Sequence, residues 1–390
     1  MRTDVDQIEQ NCCHVCYCRG VELIPVYSDF YRVTSDCKPW RQGGKLGVCQ
    51  SCGCVQKIAD NNFYNECNEI YNSYSVYYQG EGEEQRTFEQ SKGMSLYRSE
   101  LILNKVFKGF NLPSGGYLLD IGCGNGNLLK SFSKMHPSWK LAGSELNDRY
   151  RQDAEKIRNV KSFYSCNVEN IPGQFDMITL LHCLEHIVDP INYLKKIRDK
   201  IKPEGFLLIE IPNYTQNPFD LIIADHCTHF DLERIKMVLI KAGFNFLIAA
   251  NDYIPKELTL LARKSVTPMN NENDTKNASV FQDVTKDLDW LRSAINTSTN
   301  IANKQGNLGI LGTSIAGTWI CSELGRAVTF FVDEDPSRIG KEFMGRHVYN
   351  PKDVPSSYNV FIAQPFTIAC DIKKRLQSYG AEFHLPPVLE

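Results

Sequence analysis

The stretch Leu118-Leu119-Asp120-Ile121-Gly122-Cys123-Gly124-Asn125-Gly126 decides the fold. It reads as a strand ending in an acid, followed by three alternate glycines. Glycines let the backbone turn sharply and approach a ligand where a side chain would collide. A loop of this kind after the first strand is where doubly wound α/β folds bind nucleotides. Taken alone it suits NAD, FAD or S-adenosylmethionine. The spacing is G-x-G-x-G rather than the dinucleotide G-x-G-x-x-G, and Asp120 stands two residues before the first glycine. A carboxylate there suits a cationic amino-acid ligand and would repel a pyrophosphate.

Working outward, short apolar runs alternate with helical stretches from 117 to 263, the pattern of a largely parallel sheet with helices on both faces. The runs are Tyr117–Ile121, Lys140–Ser144, Met177–Leu181, Phe206–Ile211, Phe244–Ala249 and Leu258–Ala262. The last two are close enough in sequence to pair antiparallel at the sheet edge. Upstream, residues 61–110 are rich in tyrosine (Tyr64, Tyr71, Tyr74, Tyr77, Tyr78, Tyr97), and Leu101, Val106 and Phe107 suggest a helix. These tyrosines suit core or surface aromatics, or a lid over a bound acceptor. Downstream, residues 265–279 have linker composition. Phe281, Val284, Leu288, Leu291 and Ile295 then mark one apolar helix face. A second strand–glycine turn–helix starts at Asn307, with Leu308–Leu311, Val328–Val332 and Val360–Ala363 as its strands.

The 390 residues are 42% hydrophobic and 23% charged, which fits a globular chain of two or three domains and argues against disorder or a fibrous protein. The net charge of −3 and the lack of a basic run argue against nucleic acid as main partner. The opening MRTDVDQIEQ has no apolar signal region, and no stretch approaches the roughly 18 apolar residues of a membrane span, so a cytoplasmic protein without membrane association is expected. Of 15 cysteines, eight crowd between Cys12 and Cys54. Cys13-His-Val-Cys16 and Cys49-Gln-Ser-Cys52 are two C-x2-C knuckles, suited to one tetrahedral zinc. Cys12, Cys18, Cys37 and Cys54 are spare, so the set could slip by a residue or two. Four thiolates close the coordination shell, which makes such a zinc structural.

Two more motifs follow the glycine loop. Glu145 ends the strand after it and can accept hydrogen bonds from ribose hydroxyls, and Leu184-Glu185-His186-Ile187-Val188-Asp189-Pro190 follows a later strand. With DIGCGNG, these three in order resemble the class I S-adenosylmethionine-dependent methyltransferases over about 150 residues. The resemblance implies that Asp120, Gly122, Gly124 and Glu145 hold the cofactor's amino acid and ribose, with Gly126, Leu181 and His182 beside them and Asn167 near adenine. The full order is similar to the three-domain sugar methyltransferases, typified by C-methyltransferases of nucleotide-linked 4-keto-deoxysugars. Supporting stretches are Cys49–Gln56, Asn217–Phe230, Gly309–Gly317 and Phe331–Pro336. The implied organisation is a zinc-binding module (1–60), a helical or lid connector (61–110), a Rossmann-like methyltransferase core with an antiparallel edge strand (111–265), a linker and helix (266–305) and a smaller Rossmann-like domain (306–390). One departure stands out. The family's C-methyltransferases carry Tyr-His-Glu-His where this chain has Ile223-Ala224-Asp225-His226, so C-, O- and N-methylation all remain open.

Methyl transfer from a sulfonium needs an aligned acceptor and a base. Four of the eight histidines, His182, His186, His226 and His229, fall on the expected cofactor side. His226 is the expected base, Asp225 or Glu185 orients or polarises an imidazole, and His186 and His229 line the acceptor site. One helical turn would put His226 and His229 on one face. A histidine metal site lacks a carboxylate partner at fixed spacing. Two other readings are an RNA methyltransferase whose zinc module grips nucleic acid, and a nicotinamide-dependent sugar enzyme binding NAD at Gly309–Gly317 with Asp333 on a ribose.

Overall fold

The computed structural model describes residues 12–76, 82–84, 86–89, 94–110, 112–265 and 278–389. Tyr77, Tyr78 and linker residues 266–277 lie outside them. The central sheet has seven strands, in the order Val160–Tyr164, Lys140–Ser144, Tyr117–Ile121, Phe175–Leu181, Ile201–Pro212, Glu257–Lys264 and Phe244–Ala250. Its middle strands are continuous apolar runs because helices cover both faces, which removes the polar alternation of a half-exposed strand. Parallel pairing sets Thr179 opposite Asp120 and so places a hydroxyl beside that carboxylate.

The sequence pattern omits Val160–Tyr164. This strand lies at the open edge, where only Phe163 is buried, so no apolar run announces it. The antiparallel pair expected at the sheet edge is present, but the reversed strand is the inner member of the pair and not the edge strand. Glu257–Lys264 pairs antiparallel with both neighbours, and Phe244–Ala250 forms the outer edge parallel to the rest. The hairpin return threads the later strand inside the earlier one. Its residues Leu258, Leu260 and Leu261 are fully buried, which suits an inner position.

The N-terminal residues do not close on themselves. Their sheet runs Val21–Leu23, Leu46–Cys49, Val55–Lys57 and then Thr228–His229, a strand from the far side of the core. Val33 donates its N–H to the Ile222 carbonyl, and Ala224 donates back to Val33. The helix Leu232–Lys241 clamps the cysteine knuckles, with Arg234 Nε donating to the Cys52 carbonyl at 2.9 Å and Lys241 Nζ to that of Val15 at 3.2 Å.

The third sheet has six strands in the order Glu342–Phe343, Arg346–Tyr349, Val328–Val332, Leu308–Leu311, Asn359–Ile362 and Glu382–His384. The helices Ala278–Gln305 and Ile315–Leu324 cover it. Trp319 is fully buried and donates its indole N–H to the Tyr31 carbonyl, while Phe219 stacks edge-on against both Trp290 and Trp319. One apolar cluster therefore joins residues from all three sheets' surroundings. Among the described residues no helix is long and apolar enough to cross a membrane.

A buried ion pair ties the Arg32 strand to the helix Asn61–Asn72: Arg32 meets both Glu66 carboxylate oxygens, at 2.7 and 2.8 Å, and is 1% exposed. Removing one partner strands a buried charge, which typically costs about 3–5 kcal/mol. Glu66→Ala should lose stability on that scale in urea unfolding, whereas the exposed Arg41–Glu69 pair should tolerate Glu69→Ala with a loss below about 1 kcal/mol.

Candidate active site

One continuous cavity of about 570 Å³ runs from the glycine loop, past the histidines, to the third sheet. At the first end Gly122 has φ +74°, a left-handed conformation, and a Cβ there would press on Cys183 at 3.4 Å. The loop therefore needs glycine for its turn and for the room in front of it. Glu145 accepts from the Gly124 N–H at 2.7 Å and from its neighbour Leu146 at 3.1 Å, which pins the second strand's acid against the loop. Asp120 is 3% exposed and accepts a 2.6 Å hydrogen bond from Thr179. Burial, only partly offset by that hydroxyl, pushes its pKa up to about 7.

The histidines gather in mid-cavity. Asp220 accepts from His226 Nδ1 at 2.8 Å and from His229 Nδ1 at 2.6 Å. Burial alone would raise Asp220, but the two imidazoles outweigh it and hold the carboxyl well below the usual range. Burial would likewise lower His226, and the Asp220 carboxylate reverses this, so its pKa lies above the ordinary imidazole value. His186 Nδ1 lies 3.0 Å from the Tyr71 hydroxyl and 2.9 Å from the Asp225 carbonyl, and the rings of His186 and His226 meet edge-on at 4.8 Å. Burial and the neighbouring His226 lower the His186 pKa. Glu185 is 1% exposed, and neither of its carboxylate oxygens has a hydrogen-bond partner among the described residues. Burial raises its pKa. His182 has φ +51°, and its ring lies 3.3 Å from Glu185 and 3.7 Å from Glu257. Burial, then the charge of Arg98, press its pKa down to about 3, so this imidazole is neutral.

Several expectations need correcting. The imidazole beside Asp225 is that of His186, whose Nδ1 lies 3.5 Å from the carboxylate, and not that of His226: the Asp225 carboxylate accepts from the backbone N–H and hydroxyl of Ser35, and Asp220 holds His226. His226 and His229 do not share a helix face, since Thr228–His229 is a short strand; they converge because both reach Asp220. His229 is fully buried behind His226 and does not line the cavity, whereas His182, Glu185, His186 and His226 do. Gly126 also lies off the cavity. Its φ of +86° starts the helix Asn127–Met135, and a Cβ there would strike Ile157 at 2.4 Å. Asn167, Leu181, Glu145, Gly122 and Gly124 line the cavity, as do Tyr64, Tyr71 and Tyr74, whereas Tyr97 does not.

Asp220 was missed by the sequence reading, although it lies inside the segment singled out there. Its spacings of six and nine to the two histidines match no regular period; short turns over Tyr214–Gln216 and Pro218–Asp220 bring it home. Carboxylates thus stand beside the imidazoles in space, as Glu185–His186–His226 and Asp220–His226–His229. In the second trio the Nδ1 atoms of both rings are spent on Asp220 itself.

The sulfurs of Cys13, Cys16, Cys49 and Cys52 all lie within 4.8 Å of one another. Cys13 and Cys52 are 3.4 Å apart, and Cys16 and Cys49 are 3.5 Å apart. Zinc–sulfur bonds of about 2.3 Å give tetrahedral edges near 3.8 Å, so the four thiols fit that ion. The spare Cys12, Cys18, Cys37 and Cys54 stand outside the group. In the third sheet's glycine loop, Asp333 accepts from both the N–H and the hydroxyl of Thr313 and from Asp335 N–H, so its oxygens are engaged internally.

Residues 96–248 match the family model of a methyltransferase domain. The mitochondrial ubiquinone biosynthesis O-methyltransferase of Schizosaccharomyces pombe is 28% identical over 116 residues, 27% of this chain and 42% of that protein. The ubiquinone biosynthesis O-methyltransferase of Aliivibrio fischeri is 26% identical over 121 residues, 29% of this chain and 51% of its own. The chain thus spans about half or less of the curated relatives it matches. Among solved structures, the mitomycin 7-O-methyltransferase MmcR covers 52% of this chain and 60% of its own at 15% identity, with a TM-score of 0.41, too loose a likeness to inform the site. Fold, glycine loop and family match agree: the chain carries a class I S-adenosylmethionine-dependent methyltransferase domain.

Asp120 gives a prediction with a definite sign. Its folded pKa of about 7 exceeds its unfolded value, so ionising it in the fold is a penalty that is absent below about pH 4 and complete above about pH 7. Asp120→Asn keeps an acceptor for Thr179 and removes that penalty. The ligand-free variant should melt several degrees above wild type at pH 8 and level with it near pH 4. Titration calorimetry at pH 8 should show its S-adenosylhomocysteine affinity reduced about tenfold or more, the scale of one charged contact.

Proposed function

We propose that the protein transfers a methyl group from S-adenosylmethionine to a hydroxyl oxygen or an activated carbon of a nucleotide-linked sugar, with His226 as general base. The observation that carries this reading is the continuity of the cavity. The glycine loop, the His226 imidazole and the first turn of the helix Ile315–Leu324 all open onto it. Ser314, Ile315 and Ala316 line its far end with Lys256 and Arg338. A helix N-terminus beside two cations suits an anionic tail such as a diphosphate. The curated relatives are named as O-methyltransferases, which favours oxygen as the methylated atom, but they share only the core and do not bear on the acceptor's identity.

S-adenosylmethionine, when bound, supplies an electrophilic methyl group. Asp120 would meet its ammonium group and Glu145 its ribose, with Asn167 near the base. His226 donates from Nδ1 to Asp220, so its Nε2 lone pair is the one able to take a proton from the acceptor. Asp220 then stabilises the imidazolium. Glu185 is poised to hydrogen-bond an acceptor oxygen, since burial favours its protonated form. His186, fixed by Tyr71 and the Asp225 carbonyl, packs the base from the side. Cys13, Cys16, Cys49 and Cys52 hold a structural zinc away from the chemistry.

His226→Asn should lower kcat about 10²–10⁴-fold, the usual worth of a general base, with S-adenosylhomocysteine affinity within about twofold of wild type. Transfer of labelled methyl to a panel of nucleotide sugars, with the free sugars and simple phenols as comparison, measures this. Turnover of phenols alone would overturn the sugar reading. Metal analysis should find about one zinc per chain. Cys49→Ser should lose it, and because Val55–Lys57 pairs with Thr228–His229, the change should also depress kcat.

A further inference from the structure

Lys57 is a buried cation that the mechanism does not use. Lys57 ends the strand that follows the second cysteine knuckle and is 2% exposed. Its Nζ lies 2.7 Å from the Leu221 carbonyl and 2.8 Å from His229 Nε2. His229 Nδ1 then meets Asp220 Oδ2, and Asp220 Oδ1 meets His226 Nδ1. Four side chains from the N-terminal sheet and the core thus form an unbroken chain that ends at the cavity.

We propose that Lys57 is a positioning residue of the transfer site, whose amine fixes the tautomer of His229 and, through His229 and Asp220, the proton arrangement of the base His226. The argument is one of donors and acceptors. In its ammonium form, which prevails below its pKa of about 7, Lys57 has protons and no lone pair, so His229 Nε2 accepts. A neutral His229 then carries its proton on Nδ1 and donates it to Asp220. The ionised Asp220 only accepts, so His226 must donate from Nδ1, and its Nε2 is left open for the acceptor's proton. Without Lys57, His229 could carry its proton on Nε2 and turn a lone pair toward Asp220, or it could take a second proton. Either change alters what holds His226.

The surroundings agree with this proton map. Burial first, and the Lys57 charge second, press the His229 pKa down to about 4, so the ring is neutral at pH 7. Burial lowers Lys57 to about 7, with Asp220, Cys227 and Asp225 supporting its charge and Arg32 opposing it. The Lys57 ammonium also lies 4.8 Å from the Tyr27 ring. His14, from the first knuckle, is the further titratable neighbour of His229; burial and that neighbour bring its pKa down to about 3, and it contributes no charge. The N-terminal sheet therefore delivers to the site one group the core does not supply.

The kinetic part of this inference rests on the reading of His226 as base, and the spectroscopic part does not. Nitrogen-15 spectra of histidine-labelled, zinc-replete protein at about pH 6, below the Lys57 pKa and above that of His229, should show His229 protonated at Nδ1 and bare at Nε2. Lys57→Met, close in length and apolar, should mix the His229 tautomers or raise its proton affinity about tenfold or more, and should shift the His226 titration. Lys57→Arg keeps donors at this place and should retain the wild-type His229 signature. In turnover, Lys57→Met should lower kcat about tenfold or more, with acceptor KM and S-adenosylhomocysteine affinity within about twofold, and Lys57→Arg should recover most of it. A wild-type His229 protonated at Nε2, or a Lys57→Met protein with unchanged His229 and His226 titrations, would overturn the proposal. If wild type methylates no acceptor, the functional reading fails while the spectra still decide the role of Lys57. If Lys57→Met fails to bind S-adenosylhomocysteine, the wild-type and Lys57→Arg spectra decide it.

Discussion

A single buried carboxylate, Asp220, constrains the segment from Asn217 to Phe230. An ionised carboxylate removed from water is costly unless its lone pairs are met, and here two imidazole N–H groups meet them at 2.6 and 2.8 Å. Satisfying both requires that the turn at Pro218–Asp220, the loop at His226 and the strand Thr228–His229 hold fixed relative positions. That strand in turn completes the N-terminal sheet, and the turn carries Phe219 into the cluster around Trp290 and Trp319. The same hydrogen bonds that satisfy a buried charge therefore tie the last strand of the N-terminal sheet to the turn that packs against Trp290 and Trp319. They also leave His226 with one open nitrogen at the cavity.

The core was legible because its signals are local. Continuous apolar runs, an acid ending a strand and alternate glycines are each set by neighbours within a few residues, so Tyr117–Ile121, Glu145 and the Glu185–His186 turn could be placed from sequence. The cysteine knuckles were legible for the same reason: two residues between cysteines is a short-range constraint. The strands Val160–Tyr164, Glu342–Phe343 and Glu382–His384 were not, since edge strands bury too little to carry a pattern. Nor could the sequence show that the reversed strand threads inside the edge, because strand order is decided by pairing between distant segments.

The site divides along the same line. Residues on the strand ends, Asp120, Glu145 and Leu181, stand at the cavity as the fold alone requires. The choice of acid partnering His226 was not legible: Asp225 is adjacent in sequence, yet Ser35 captures it, and Asp220 reaches back through two turns. Lys57 carried no signal either. A lysine in a three-residue strand reads as a solvated edge, and its burial depends on Thr228–His229 docking from 171 and more positions further along the chain.

That docking bears on why a cysteine-stapled module is fused to this core. Three short strands whose buried Leu46, Val48 and Val55 pack into a cluster shared with the third sheet close no core of their own, and small folds of that kind need a cross-link. A tetrahedral metal site would provide one, and Arg234 and Lys241 then fasten the knuckles to the core helix. Once rigid, the module projects Lys57, Ser35 and Arg32 towards the histidines. A flexible loop could carry the same residues, but it would lose side-chain entropy each time it ordered them. A metal staple would move that cost from the catalytic cycle to folding, where it is met once. On this argument the cysteine cluster matters to catalysis without touching the acceptor, because the proton arrangement at His226 is only as well defined as the strand that holds Lys57.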